Sequence, residues 1–538
     1  MKISFPRFQF FGATILVGLT TLICIPNGAT QKLSGLTPQE QRGKQIYVKG
    51  ESGTSEIIAR LGSADLDVPA SSFSCANCHG LRGEGTREGG IQPPPINWET
   101  LTRPHTSALT RRERVAYVEA TLSRAISDAL DPAGRRLHPA MPNYKMTREQ
   151  MADLIAYLKQ LGNESDTEPG VSEGTIRVGA VLPLSGPLAQ IGEDTKAVLV
   201  TSFAEVNAQG GIYGRRCELI VEDSRGDPAQ TLEATRRLIE HGDIFAMLSN
   251  FEPGESAAVS QLIQSKEVPL IGPLTLSPRV AVPPNPYIFY LLPTFADQVR
   301  SLVDFAKSKG KSDGAKLLQL AVVYDGNGFN QDALSGLRAQ AKMYSMGIVS
   351  EQTYDAAFKP AETVALLTIK KPDYVFFFGG AEDFKALALE MDRTKLKVPL
   401  LSSAVMVGRG AFALPADVAA QTFLSYPSAL PNQENFAEFL TLAQKGGINM
   451  RSPAFQSMAY AGAKVLVEAA KVSGRQLTRT ALINSLEQMR DFKTGVVPPL
   501  TFGLNRRVGS VGSHIVGVDL TKQQYISLTD RMTPKEKP

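Results

Sequence analysis

Cys75-Ala76-Asn77-Cys78-His79 decides how the front of this chain is read. Two thiols stand three residues apart, and a histidine follows the second directly. This is the spacing of covalent c-type haem attachment, in which each thiol forms a thioether to a vinyl group and the histidine sits beneath the iron. Zinc would ask for four nitrogen or sulfur ligands, and there is no second cysteine pair. A thioredoxin-like dithiol would ask for a βαβ setting, whereas the flanks read as helical. The motif therefore predicts one covalently attached haem c, held by Cys75 and Cys78, with His79 as an axial iron ligand.

Working outward, Gly80-Leu81-Arg82-Gly83-Glu84-Gly85 lets the backbone turn tightly beside a flat macrocycle. A carbonyl of Pro93-Pro94-Pro95 is placed to accept the other ring N–H of His79 and fix its tautomer; a stiff surface turn is the alternative. Capping boxes at Thr37/Glu40, Thr110/Glu113 and Thr147/Gln150 each predict a helix start. Val115, Val118, Leu122 and Ile126 mark one helical face, and Met151, Leu154, Ile155 and Leu158 another. Ser52 to Ser74 carries little pattern and reads as loop. Met141, in the proline-flanked run Pro139-Ala140-Met141-Pro142-Asn143-Tyr144, is the candidate for the second axial ligand. Met146, Met151, His138 and His105 compete with it, and Met151 already belongs to a core stripe. Thioether ligation favours ferrous iron and raises the potential.

Residues 33–162 resemble a class I, mono-haem cytochrome c. The resemblance rests on Cys75-x-x-Cys78-His79-Gly80, on Met141-Pro142-x-Tyr144, and on the flanking N- and C-terminal helices. It implies an all-α domain whose terminal helices cross beside the haem, His79/Met141 ligation, and electron transfer.

The whole sequence bounds the setting. At 538 residues it is long enough for several domains. A net charge of +4 spread over that length gives no argument for nucleic acid. Lys2 and Arg7 precede the apolar run Gly12 to Ile25, and Asn27-Gly28-Ala29 follows, so residues 1–29 read as an export signal. It is either cleaved after Ala29 or kept as an N-terminal tether, and the protein is expected in the periplasm. Of the four cysteines, Cys24 lies in the signal, Cys75 and Cys78 are assigned to haem, and Cys217 opens the apolar run Cys217-Glu218-Leu219-Ile220-Val221 as a core thiol.

Residues 163–174 are polar, acidic and glycine-bounded, and read as a linker. Beyond them strands and helices alternate: Ile176 to Leu182, Asp194 to Asn207, Leu219 to Val221, Pro228 to Glu240, Phe245 to Leu248, Ser256 to Ser265. The rhythm restarts at Leu318 to Tyr324 and again at Tyr374 to Phe378. Two parallel α/β sheets, and so two lobes, are predicted.

Leu184-Ser185-Gly186-Pro187-Leu188-Ala189-Gln190-Ile191-Gly192, Asn207-Ala208-Gln209-Gly210-Gly211-Ile212-Tyr213-Gly214-Arg215 and Glu222-Asp223-Ser224-Arg225-Gly226-Asp227-Pro228 make residues 175–530 resemble the type I periplasmic binding proteins of branched-chain amino-acid uptake. The resemblance implies Rossmann-like lobes, at about 175–292 with 427–503 and 293–426 with 504–530. It also implies hinge crossings near Leu291–Phe295, Phe423–Pro427 and Phe502–Val508, and closure on a small ligand. The family's ligand-holding serine and threonine fall on Pro253 and Leu276 here, its second-lobe tyrosine on Asp325, and its ammonium-binding glutamate near Ala404. These departures point away from an ordinary amino acid. Ser185, Glu255, Ser256, Thr275 and Asp325 remain as ligand-site candidates, with Gly254-Glu255-Ser256 opening a helix whose free N–H groups suit an anion. Leu274 and Leu276 would line the cleft with apolar surface, and Phe329 would face it from the other lobe.

His241 and His514 stand alone, and no catalytic constellation is present, so the expectation is an electron carrier and binding protein and not an enzyme. Its partners would be a small-molecule ligand, a periplasmic redox partner such as a dehydrogenase, and, on an uptake or sensing reading, a membrane permease.

Overall fold

The computed structural model describes residues 36–536, apart from 63–65, 86–92, 107–112, 164–165, 167, 253–256, 276–277, 279, 311–316, 327, 355–356 and 431–435. The expected export segment lies outside the described residues. The chain divides into two compact units, 1–167 and 168–538. Part of the expected linker belongs to each. Asp166 accepts from Tyr157 Oη and from the Gly162 amide at 3.0 Å and pairs with Lys44 at 3.1 Å, which holds it in the first unit. Gly170 donates its N–H to Asp243 at 2.9 Å and Val171 bridges Ile176, which places them in the second.

In the first unit, the helices Pro38–Lys49 and Arg148–Leu158 start at the Thr37 and Thr147 capping boxes, where both reciprocal hydrogen bonds are made. They cross closely at Gly43, where an added Cβ would lie 2.0 Å from the Asp153 carbonyl oxygen. Arg42 forks onto the Asp153 carboxylate at 2.7 and 2.9 Å beside that crossing. Ile46, Tyr47, Leu154, Ile155, Tyr157 and Leu158 form the core there.

The unit is not purely helical. Ile58–Leu61 pairs antiparallel with Leu66–Pro69 and with Asn143–Lys145. The expected loop thus contains strands: Ile58–Leu61 pairs with the nearby Leu66–Pro69 and also with Asn143–Lys145, which lies some eighty residues on and supplies hydrogen bonds that local pattern does not announce. The helix expected at Thr110 runs instead over Glu119–Asp128. Glu113–Arg114 is a strand paired with His105–Thr106, and Arg114 donates to the Leu101 and Thr100 carbonyls at 3.1 and 2.8 Å while lying over the Tyr117 ring. Of the expected face, Leu122 and Ile126 are buried but Val115 and Val118 are exposed.

The second unit holds two sheets. In the first, the strands run in the order Ile288–Phe289, Leu270–Ile271, Ala246–Leu248, Thr175–Leu182, Arg216–Asp223, all parallel. In the second the order is Gly347–Tyr354, Gln319–Asp325, Tyr374–Phe378, Leu400–Ser403, Thr422–Tyr426, His514–Asp519, Gln524–Ser527, the last two joining antiparallel. Both sheets start from the doubly wound order 2-1-3-4-5, in which the switch point lies between the first and third strands. One apolar core gathers residues from Ile176 to Leu292 and from Ala429 to Phe502. Two further cores gather residues from Phe295 to Leu430 together with Ile515 and Val516. Cys217 is buried in the first sheet, and burial pushes its thiol up to about 11.

Candidate metal centre and ligand cleft

The helix Cys75–His79 is a single turn entered from Ser74 and left through Gly80. Cys75 is half-buried against the core of the unit, Cys78 is exposed and His79 is buried, so the second thiol stands at the surface and the ring lies within the unit. His79 Nδ1 lies 3.2 Å from the Pro94 carbonyl oxygen. A carbonyl can only accept, so Nδ1 carries the proton and Nε2 keeps its lone pair, the form that binds iron. Burial lowers the pKa of His79 against the opposing pull of that hydrogen bond, which keeps the ring neutral.

The turn after the histidine is fixed by its own backbone. Gly85 donates to the His79 carbonyl at 2.8 Å, and Ile96 donates to Gly83 at 2.7 Å. Gly85 has φ +83°, and a Cβ there would stand 2.2 Å from the Pro93 oxygen, so only glycine lets the proline run close over the histidine. Tyr47 Oη donates to the Gly80 carbonyl at 2.7 Å, and Tyr144 Oη to the Phe73 carbonyl at 2.7 Å. The second bond ties the strand that follows Met141 to the residue two before Cys75.

Met141 is half-buried and its amide closes a turn on the His138 carbonyl at 2.9 Å. The competing Met146 and Met151 both pack against the core of the unit, whereas Met141 does not join that cluster. His138 is exposed and its Nδ1 accepts from the Ala140 amide at 3.2 Å; the side chain of His105 lies outside the described residues. Among the described residues no group of three or more His, Cys, Asp or Glu is placed to hold a bare metal ion. The two thiols and the free Nε2 of His79 are donors that suit a haem c, which Cys75, Cys78, His79 and Met141 would hold.

In the second unit the chain leaves the first sheet beyond the carboxyl end of Ile288–Phe289, and the second beyond that of Thr422–Tyr426. It returns through 507–510, where Tyr290 donates to the Arg507 carbonyl and Gly509 donates back to Tyr290, both at 2.8 Å. Arg531 donates to the carbonyls of Val511, Gly512 and Pro427 at 2.9, 2.8 and 3.3 Å, clipping two crossings together. All the crossings thus join the carboxyl edges of the two sheets, so those edges share the hinge side and bound the cleft.

The sequence candidates fall along these edges. Ser185 is exposed at the exit of Thr175–Leu182, and its Oγ donates to Asp223 Oδ2 at 2.6 Å. Burial would raise the Asp223 carboxyl, but the Ser185 hydroxyl and the amides of Arg225 and Leu184 hold it below the usual carboxylate range. Thr275 follows Leu270–Ile271 and is half-buried. Asp325 ends Gln319–Asp325 on the other lobe, where Asn330 Nδ2 donates to it at 2.6 Å. Glu255 and Ser256, with Pro253, Gly254 and Leu276, lie outside the described residues, as does the side chain of Phe329. Leu274 does not line the cleft: it is 1% exposed and belongs to the core, because its amide pairs with the Asn250 carbonyl at 2.7 Å and draws it into the sheet.

Glu252 was missed from the sequence. It lies at the tip of the central strand, beyond Ala246–Leu248, where Phe251 donates to the Val181 carbonyl at 2.8 Å and bridges Leu274. It sits between the exits carrying Ser185 and Thr275, at the switch point of the lobe. Part of the side chain still meets solvent, yet protein crowds the carboxyl, and burial alone pushes it up to about 7. The signal was an acidic residue directly after a buried strand, where parallel sheets place their ligands.

Residues 175–522 match the family model described as periplasmic binding protein, and residues 41–162 the model described as cytochrome c. The Leu/Ile/Val-binding protein homolog 7 of Brucella abortus (strain 2308) is 25% identical over 317 residues, 56% of this chain and 78% of its own length. The Leu/Ile/Val-binding protein BraC3 of Rhizobium johnstonii is 22% identical over 343 residues, 61% of this chain and 87% of its own. Among solved structures, a fatty acid ABC transporter substrate-binding protein from Thermomonospora curvata superposes with a TM-score of 0.56 at 21% identity, covering 69% of this chain and 95% of its own. A branched-chain amino acid ABC transporter protein from Thermus thermophilus with bound valine also gives 0.56, at 18% identity, covering 68% and 97%.

Proposed function

From the premise that this chain belongs to the periplasmic binding protein family and carries a cytochrome c domain, we propose that it is a periplasmic electron carrier whose binding module takes a small molecule between its lobes. The observation that carries the reading is the joining, in one chain, of a Cys75-Ala76-Asn77-Cys78-His79 helix with its histidine tautomer set by Pro94 and a hinged two-lobed module. When bound, a haem supplies one-electron transfer at a potential raised by thioether ligation. The chain's own part is to hold His79 neutral and oriented through Pro94, to offer Met141 from its turn, and to bring the strand exits of both lobes to one cleft. Covalent linkage raises the local concentration of the haem domain wherever the binding module docks. A periplasmic dehydrogenase acting on the bound compound, or on a relative of it, is the partner this arrangement suits.

The test is a redox titration of the full, haem-loaded chain with and without a saturating ligand. Coupling between the two acts requires that ligand shift the haem potential and that oxidation state shift ligand affinity by the same factor. A potential unmoved by ligand would refute coupling and favour the second reading. That reading is a substrate-binding component of an ABC-type uptake or sensing system, with the haem as redox sensor. The Leu/Ile/Val-binding names of the relatives favour it, and it requires a membrane permease that docks on the lobes.

A further inference from the structure

We propose that Tyr144 is the positioning residue for the sixth ligand of the iron, and that it acts by tying the Met141 turn to the entry of the helix that carries Cys75, Cys78 and His79. This inference rests on the reading of Met141 as an axial ligand. The tie itself is the first observation. Tyr144 is buried in the core of the first unit, and its Oη donates to the carbonyl of Phe73, two residues before Cys75, at 2.7 Å. It lies three residues after Met141, and the ring of Pro142 between them fixes one backbone torsion. The path from the hydroxyl to the thioether is therefore short and stiff.

The second observation is that both ends of the tie are themselves held. Tyr144 stands opposite Ala59 where Asn143–Lys145 pairs with Ile58–Leu61, and Lys145 reaches Asp67 on the neighbouring strand at 2.7 Å. At the other end, Phe73 donates its N–H to the Ala70 carbonyl at 3.0 Å, and Ala70 donates to the carbonyl of Ile57, beside the same strand, at 2.9 Å. Sheet, Tyr144, Phe73 and Ala70 thus form a closed frame. The turn rests on that frame at its leading edge too: a Cβ on Gly62, directly after Ile58–Leu61, would stand 2.6 Å from the Pro139 carbonyl oxygen. Inside the turn, Met141 and Ala140 donate to His138. Those local bonds give the turn its shape, whereas the frame gives it its place relative to Cys75–His79. Covalent attachment would fix a haem to that helix, so the thioether keeps its reach only while turn and helix hold one spacing. The Tyr144 hydroxyl sets that spacing directly, as the outer partners of a metal ligand do.

The experiment compares the natural full chain, matured with its haem, with Tyr144→Phe, Met141→Ala, the double variant and Tyr157→Phe. Tyr157 gives up the same kind of bond, from a buried phenol to Asp166 at 3.0 Å in the same unit, and so reports what loosening alone does. Tyr144→Phe keeps its ring in the core and should fold. The proposal expects reduced Tyr144→Phe to bind carbon monoxide about five- to tenfold more tightly than the natural protein, the scale of one lost hydrogen bond. Its haem potential should fall, and the methionine-to-iron band in the red of the oxidised spectrum should weaken. Tyr157→Phe should leave all three readings where they were. Added to Met141→Ala, Tyr144→Phe should change nothing further, because the two residues act as one unit. Equal carbon monoxide affinities for Tyr144→Phe and Tyr157→Phe would overturn the role of Tyr144. A further gain on adding Tyr144→Phe to Met141→Ala would overturn the route through Met141. A natural protein that binds carbon monoxide as readily as Met141→Ala would overturn the ligand reading beneath the proposal, and the proposal with it.

Discussion

Single residues set the chemistry of both sites. Glu252 makes a pH-dependent prediction. Its carboxyl is raised from 4.5 to about 7, so between these values the folded protein holds a proton that the unfolded chain has released. The stability linked to it is full below the lower value and is lost as pH rises through the upper one. Glu252→Gln should therefore match the natural protein near pH 4 and exceed it above pH 7 by up to about 3 kcal/mol, on the scale of 1.36 kcal/mol per pKa unit. Thermal melts across that range check this, and equal stabilities throughout would mean that the carboxyl is not strained. Met141 makes the other residue-scale prediction. If its thioether closes the iron, reduced natural protein should bind carbon monoxide poorly and Met141→Ala should bind it readily, as read in the Soret band. Ready binding by the natural protein would hand the sixth position to another group or to none.

Secondary-structure elements decide how firmly those residues are held. The crossing of Pro38–Lys49 with Arg148–Leu158 leaves no room for a side chain at Gly43. Gly43→Val should cost at least about 2 kcal/mol, the ordinary penalty of overpacking. It should lower the denaturant midpoint followed at the haem and leave that of the binding module where it was. Thr147→Ala should cost about 1 kcal/mol, the usual loss of a helix cap. A smaller change would mean that the Gln150 amide, which also bonds Ser55 at 2.9 Å, holds the helix start without the threonine. These helices were legible because capping residues and a 3.6-residue stripe act locally. The strand Ile58–Leu61 was not, because one partner, Asn143–Lys145, is remote in sequence, and neither the strand itself nor its near partner Leu66–Pro69 alternates clearly. The helix placed at Thr110 shows the opposite error: a capping box was present, but Arg114 is held by the Leu101 and Thr100 carbonyls and the chain there pairs as strand.

At the scale of the whole binding module, the hinge is what turns two sheets into one site. Arg531 gathers carbonyls from two crossings, and Arg531→Ala would leave Val511, Gly512 and Pro427 without that donor. A cost of about 2–3 kcal/mol is expected from the loss of charge-assisted hydrogen bonds, seen as an earlier melt of the binding module. The same module should contract when it binds. Small-angle scattering of the full chain with and without a stabilising ligand should register a smaller radius of gyration, and an unchanged profile would count against hinge closure.

The sequence by itself determined the haem-attachment motif, the helix caps around it, the alternation that makes the parallel parts of two sheets, and the family to which each part belongs. All of these rest on contacts between near neighbours or on a repeating period, which a linear string records. Only the tertiary structure decided which proline carbonyl serves His79, that Leu274 is core and not cleft, and that Glu252 stands at the meeting of strand exits 183–185, 250–252 and 274–275. Each depends on segments far apart in the chain arriving side by side. Burial of a carboxyl is a property of that meeting, and no residue carries it alone.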